Sequence, residues 1–287
     1  SNELKSTFVC DLGDCSSSRP CMGVQKMFGF QCSVKRYHTF FVSDSFLPDT
    51  VSEKEKETRI MIITLKDGSK KEYAEAKSVI DIAADISEGL ARVACAGEVD
   101  GEVVDLRHVV DKDCELSILT FEDEGGKGAF RHTTSHIMAQ AIKRLYPDVK
   151  LAIGPSIADG FYYDIDSENP ITTEDLAKIE VEMKKVVKEA LPITRFTKSR
   201  EEAIAFFKEK NEPYKVELIE DLPEDAEISF YQQGEFVDLC AGPHLMTTKP
   251  VKAFKLTSIA GAYWRGSEKN KMLTRIYGTS FTKKADL

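Results

Sequence analysis

The first clear pattern along the chain is Ile60-Met61-Ile62-Ile63-Thr64-Leu65, an apolar, β-branched run that predicts a strand. Asp67-Gly68 marks a tight turn, and Lys70 to Tyr73 returns as a second strand. Val79, Ile82, Ala83 and Ile86 fall on one helical face; Ser78 with Asp81 opens that helix and Gly89 closes it. Ala91 to Leu106 predicts a hairpin around Asp100-Gly101, and Glu115 to Phe121 a last apolar strand. Residues 58–121 thus read as a small half-open sheet with one helix across it, suited to binding or positioning and without residues placed for catalysis.

The pattern changes after Gly125-Gly126-Lys127-Gly128, so residues 122–287 are read as a second domain. Ile137, Ala141 and Leu145, joined by Met138 and Ile142, predict a helix from Arg131 to Tyr146, stopped by Pro147. Ile153 to Ile165 reads as a strand pair interrupted by Gly154-Pro155 and Asp159-Gly160. Thr173 to Leu191 is a second helix, with Glu174 and Asp175 in its first turn, where they oppose the helix dipole. Ser199 and Glu202 form a capping box for a third, carrying Ala203, Phe206 and Phe207. The rest is turn-rich strand and loop. Helices mixed with adjacent strands give an α+β class.

Residues 1–57 have no period and end in a run of alternating charge from Glu53 to Glu57, so they read as a poorly ordered leader. Cys10, Cys15, Cys21, Cys32 and His38 lie in it, but no close Cys-x-x-Cys pair supports a zinc site. Seven cysteines in a chain of 287 residues do not suit a secreted disulfide framework. With no signal peptide and no long apolar run, a cytoplasmic protein with reduced thiols and no membrane partner is expected. The net charge of −9 argues against a general nucleic-acid clamp. Residues 245–287 nevertheless hold nine Lys or Arg against Glu268 and Asp286, a basic end that can meet a phosphate backbone locally.

Candidate chemistry lies in the second domain. His132 and His136, at i and i+4, share one helix face. Thr133 stands where a zinc-protease motif needs Glu, which removes that reading. Cys240 and His244 flank Gly242-Pro243, so they sit on a turn that can aim both side chains one way. Each pair alone is unspecific, since buried neutral histidines are common packing groups. Together, the three imidazoles and the thiol make a candidate tetrahedral zinc set. Asp238, two residues before Cys240, faces the same side if the segment is a strand. Lys215 follows the third helix.

These residues belong to longer stretches: Arg131-His-Thr-Thr-Ser-His136, Ala152-Ile-Gly-Pro155, Asp159-Gly-Phe-Tyr-Tyr-Asp164, Tyr214-Lys215, Asp238-Leu-Cys-Ala-Gly-Pro-His244, Gly261-Ala-Tyr-Trp-Arg-Gly266 and Lys271-Met-Leu-Thr-Arg-Ile-Tyr-Gly278. In order and spacing, from about Arg59 to the end, they resemble the N-terminal half of the bacterial threonyl-tRNA synthetase family; residues 1–57 match nothing in it. The resemblance implies a small β-grasp-like TGS domain followed by a larger α+β editing domain. It implies hydrolysis of serine wrongly esterified to the acceptor end of threonine-specific tRNA, with no DNA partner.

Carried over by position, His132, His136, Lys215 and Asp238 would be catalytic, and Tyr163, Cys240 and His244 would contact the bound end. The related alanyl-tRNA editing proteins hold zinc on the same two pairs, while the threonyl type is expected to need no cofactor. The family's ATP-dependent core has no counterpart here, so no aminoacylation by this chain and a monomer are expected. Two rivals stand beside this reading: a free-standing alanyl-type zinc hydrolase, and a tRNA-binding module without catalysis. Each reading that includes catalysis requires the Cys240–His244 turn and the His132–His136 helix to face one cavity.

Overall fold

The computed structural model of the protein describes residues 60–287. The predicted leader and its candidate residues Cys10, Cys15, Cys21, Cys32 and His38 lie outside the described residues.

In the first half, β1 (Met61–Leu65) buries Met61 and Ile63 and exposes Ile62. β2 (Lys70–Tyr73) returns antiparallel to it. β3 (Lys77–Ser78) leads into α1 (Val79–Ile86), where the Ser78 hydroxyl caps the helix by accepting from the Asp81 amide. This helix does not run to Gly89. It ends at Ile86, and Ser87 accepts from the Gly89 and Leu90 amides to start α2 (Glu88–Val93). The hairpin expected from Ala91 therefore begins only at β4 (Ala96–Val99). Asp100 and Gly101, both at positive φ, turn it into β5 (Glu102–Val104). β6 (Val109–Val110) pairs with β3, and β7 (Cys114–Leu119) runs parallel to β1. The sheet order is β2-β1-β7-β4-β5. Val79 and Ile82 of α1 pack on Ile63 and Leu116.

The second half opens with α3 (Glu124–Leu145), which starts earlier than the predicted Arg131. The run Gly125-Gly126-Lys127-Gly128 is thus the first turn of a helix and not a linker. A Cβ on Gly126 would stand 1.9 Å from the Thr120 carbonyl oxygen. Glycine is required there because the helix lies directly on the end of the first sheet. β8 (Lys150–Leu151), β9 (Ser156–Ile157) and β10 (Gly160–Asp166) follow, then α4 (Asp175–Glu189) and β11 (Ile193–Thr197). α5 (Arg200–Glu209) carries the expected capping box. α6 (Pro213–Glu220) is a helix beyond those the pattern predicts, because Pro213 is a compatible first helical residue and not a breaker. Lys215 therefore stands on a helix that buries Tyr214, Val216 and Ile219.

β12 (Ser229–Gln233), β13 (Phe236–Leu239), β14 (Ala253–Tyr263) and β15 (Met272–Phe281) complete the chain. One sheet has the order β14-β15-β10-β8 with β9 on β10, and another the order β11-β12-β13. The class is α+β, as expected. The main core sets Ile137, Met138 and Ile142 of α3 against Phe161, Tyr163 and Ile165 of β10, Ile276 of β15, and Ile179 and Met183 of α4. A smaller core stacks Phe196 and Phe207 on Phe230 at centroid distances of 5.2 and 5.5 Å. No helix among the described residues is long and apolar enough to cross a membrane.

Ile276 is fully buried where β15 meets α3. Truncation there leaves a cavity that rigid neighbours cannot fill. Ile276→Ala is expected to lower unfolding stability by about 2–5 kcal/mol, read from the urea midpoint at constant slope.

Candidate active site

The site is assembled by four elements and a turn. α3 supplies His132 and His136, α6 supplies Lys215, and β10 supplies Tyr163. Asp238 is the third residue of β13; Cys240 and His244 follow it on the turn. His132, His136, Tyr163, Lys215, Asp238, Cys240 and His244, the candidates of the second domain, converge here. The His132 and His244 ring centroids are 4.1 Å apart, and those of His136 and His244 4.2 Å. The Cys240 sulfur lies 3.3 Å from His132 Nε2 and 3.2 Å from His244 Nε2. Gly242, at φ 80°, shapes the turn, and a Cβ there would meet the Tyr231 hydroxyl at 2.2 Å.

Behind the imidazoles lies an ion pair. Lys215 Nζ stands 2.5 Å from Asp238 Oδ1, and the two residues are only 3% and 1% exposed. Tyr163 donates its hydroxyl to Asp238 Oδ2 at 2.5 Å and accepts from Lys215 at 3.0 Å. His136 Nε2 is 3.5 Å from the same Oδ2. Despite the close ammonium, Asp238 Oδ1 has no donor in good hydrogen-bond alignment. The pair also borders a cavity of about 370 Å³ lined by Gln140, Leu151, Phe207 and Phe236, which none of the three histidines lines.

Burial dominates the protonation states. It lowers His132 to about 4 and His136 to about 3, and takes His244 well below its ordinary range. Burial pushes the Cys240 thiol up to about 12. Burial also works to raise Asp238, but the Lys215 charge, the His136 ring and the Tyr163 hydrogen bond outweigh it, and the carboxyl titrates below its ordinary value. At neutral pH the site therefore holds three neutral imidazoles, a protonated thiol and one ion pair. A protonated thiol is a poor nucleophile, so the cysteine is not poised for covalent catalysis.

Thr133, which in the sequence only rules out a zinc-protease motif, orients His244. Its hydroxyl donates to the Ala129 carbonyl at 2.9 Å and accepts the Leu245 amide at 3.0 Å. With that proton committed, the 3.2 Å contact to His244 Nδ1 assigns the ring proton to Nδ1. His244 Nε2 then presents a lone pair toward Cys240. Sequence spacing could not reveal this, because Thr133 is off the His132–His136 face.

The four ligand atoms of His132, His136, Cys240 and His244 lie within 4.8 Å of one another. That is wider than the roughly 3.3–3.6 Å edges of a zinc tetrahedron with bonds of about 2.0 and 2.3 Å, but the donor set and the free Nε2 of His244 fit the metal.

Residues 61–120 match the family model of the TGS domain. Residues 228–277, which include Asp238, Cys240 and His244, match that of the threonyl and alanyl tRNA synthetase second additional domain. The chain belongs, over these domains, to the threonyl-tRNA synthetase family. It is 68% identical over 225 residues to a threonine–tRNA ligase of Acetivibrio thermocellus, 78% of this chain and 35% of that protein. The figures for a threonine–tRNA ligase of Clostridioides difficile are 63%, 78% and 35%. One from Caldanaerobacter subterraneus is 61% identical over 231 residues, 80% of this chain and 36% of the relative. The chain thus spans about a third of the length of these relatives.

The depressed histidines make stability pH-dependent. Unfolded imidazoles bind protons below about 6.5, while the folded ones resist until near 4 or lower, so the unfolded state holds more protons in that window. Stability is present above pH 6.5 and falls on acidification, by up to about 1.4 kcal/mol per pH unit for each histidine. Thermal melting between pH 7 and 4.5 is expected to show this loss, and His136→Asn to flatten it.

Proposed function

We propose that the second additional domain hydrolyses the ester of serine wrongly attached to threonine-specific tRNA, in the cytoplasm. One observation carries this reading: two imidazoles from α3 meet the turn bearing Cys240 and His244 beside the Lys215–Asp238 pair, in a domain of this family. Serine is threonine less one methyl group, and a pocket built for threonine rejects it by only about 1–3 kcal/mol. A second, hydrolytic pocket can reverse the selection by excluding the larger residue.

The nucleophile is water. His132 is partly open to solvent, and with its protonation pushed down to about 4 it is a weak proton acceptor near pH 7. It therefore holds and orients the water, and a terminal ribose hydroxyl of the tRNA end assists in moving the proton. Lys215 steadies the developing oxyanion. Asp238 offers its poorly aligned Oδ1 to the seryl ammonium, with Tyr163 and His136 fixing the carboxylate through Oδ2. His136, Cys240 and His244 shape the wall against which the bound end rests.

The close tetrad favours a second, zinc-dependent reading, as in a free-standing alanyl-type hydrolase. His132, His136, Cys240 and His244 would hold the ion, which would supply Lewis-acid activation of water or ester.

Deacylation of seryl- and threonyl-tRNA by the full chain tests the proposal. Faster release of serine is expected, with Lys215→Ala slowing it at least about 100-fold and His132→Ala less. Wild-type rates in both variants, or binding of tRNA with no hydrolysis, would sink it. After subtraction of spontaneous hydrolysis, the rate is expected to stay level from pH 5.5 to 7, because His132 loses its neutral form only near 4. A fall centred at 6.5 counts against the assigned role. Activity surviving metal chelation is expected; loss restored by stoichiometric zinc would transfer support to the zinc reading.

A further inference from the structure

The wall of the site that carries Cys240 and His244 is held from outside its own sheet. The loop after β5 inserts Asp105 and Arg107 against it, while Leu106 between them is buried in the first-half core. Asp105 Oδ2 accepts the His244 amide at 3.0 Å and the Tyr231 hydroxyl at 2.9 Å. Its other oxygen accepts from Arg107 Nη1 at 2.8 Å. Arg107 then spends its fork on backbone: Nη2 donates to the Leu245 carbonyl at 2.9 Å and to the Ile193 carbonyl, and Nη1 reaches the His244 carbonyl at 3.3 Å. The Asp105 and Arg107 side chains are 10% and 17% exposed. Tyr231, fixed by Asp105, lies against the His244 ring at 4.5 Å and under Gly242.

We propose that Asp105 and Arg107 are positioning residues for the reaction centre of the second additional domain, setting where Cys240 and His244 stand. This rests on the functional reading above. The charges of the two side chains cancel, so the clamp holds the turn without adding net charge beside the imidazoles. One carboxylate oxygen ties the amide of His244 to the hydroxyl that flanks its ring, while a planar guanidinium gathers carbonyls from the turn and from β11. Lysine cannot reproduce that fork, since its donors radiate from one nitrogen. Freed from the clamp, the turn shifts relative to α3, and a misplacement near 1 Å can cost about 100-fold in rate. The TGS domain is therefore a structural part of the hydrolytic site.

Asp105→Asn, Asp105→Ala and Arg107→Lys in the full chain provide the test. Asparagine at 105 keeps an acceptor but leaves Arg107 without its partner charge. Two readouts are taken: seryl-tRNA hydrolysis, and the rate at which iodoacetamide labels Cys240, followed by peptide mass spectrometry against Cys95 and Cys114 in the first half. Asp105→Ala and Arg107→Lys are expected to lower kcat about 10- to 100-fold with KM changed less than about threefold. Cys240 labelling is expected to change severalfold in both while Cys95 and Cys114 keep their wild-type rates. Asp105→Asn is expected to fall between wild type and Asp105→Ala. Wild-type kcat and wild-type Cys240 labelling in the alanine and lysine variants would overturn the proposal. So would equal rises at all three cysteines with a lowered melting temperature, because that marks general loosening. If the wild-type chain hydrolyses no seryl ester, the functional reading fails, and Cys240 labelling alone decides whether the clamp positions the turn.

Discussion

Two opposite charges, on Lys215 and Asp238, are buried almost completely, and the rest of the site is arranged around keeping them there. Taking such charges out of water is costly, and removing either partner would strand the other at a cost of about 3–5 kcal/mol. The pair therefore requires α6 and β13 to be in register with each other. Tyr163, from β10 of a different sheet, completes the arrangement by giving its proton to Asp238 and its lone pair to Lys215. These hydrogen bonds fasten the sheet β11-β12-β13 and helix α6 to the sheet containing β10. The ion pair is thus a structural joint as well as a source of two charged groups for chemistry.

The imidazoles fill the opposite role. Burial keeps all three neutral, so the site carries only the charges of Lys215 and Asp238. A water molecule or a metal ion both need lone pairs of this kind, and neutral nitrogens supply them without a prior loss of protons. Cys240 differs: its thiol must lose a proton to bind a metal, and burial opposes that loss in the absence of a cation. The same cluster can therefore serve as a metal-free water pocket or as a zinc site. The choice depends on whether an ion is present to stabilise the thiolate.

Much of this was legible in the sequence because it depends on local spacing. The i, i+4 step of His132 and His136, the i, i+2 step of Asp238 and Cys240, the capping box at Ser199 and the turn at Asp100-Gly101 each follow from local geometry. Packing overrode local signals elsewhere. Gly125 and Gly126 look like a linker in isolation, yet they lie in a helix packed so closely on the first sheet that a Cβ would meet Leu119 and Val103 at Gly125 and the Thr120 carbonyl at Gly126. Pro213 looks like a breaker and instead starts α6, so Lys215, which follows α5 as its position implies, itself stands on a further helix. The ring orientation imposed by Thr133 on His244 joins residues 111 apart in sequence and leaves no periodic trace.

Helix α3 explains why the two halves act on each other. Its first turn rests on Thr120 at the end of the first sheet, and its middle carries His132 and His136. Asp105 and Arg107 return from that same sheet to grip the turn facing those histidines. The first half thus touches both walls of the site, one through close backbone packing and the other through buried hydrogen bonds. Residues 120–123 also join β7 to α3 directly, with the Asp123 amide donating to the Thr120 carbonyl and Asp123 Oδ2 accepting the Thr120 amide, so a displacement of the first half would carry both walls with it. The first half therefore fixes where both walls stand: α3 through its junction with β7, and the turn through Asp105 and Arg107.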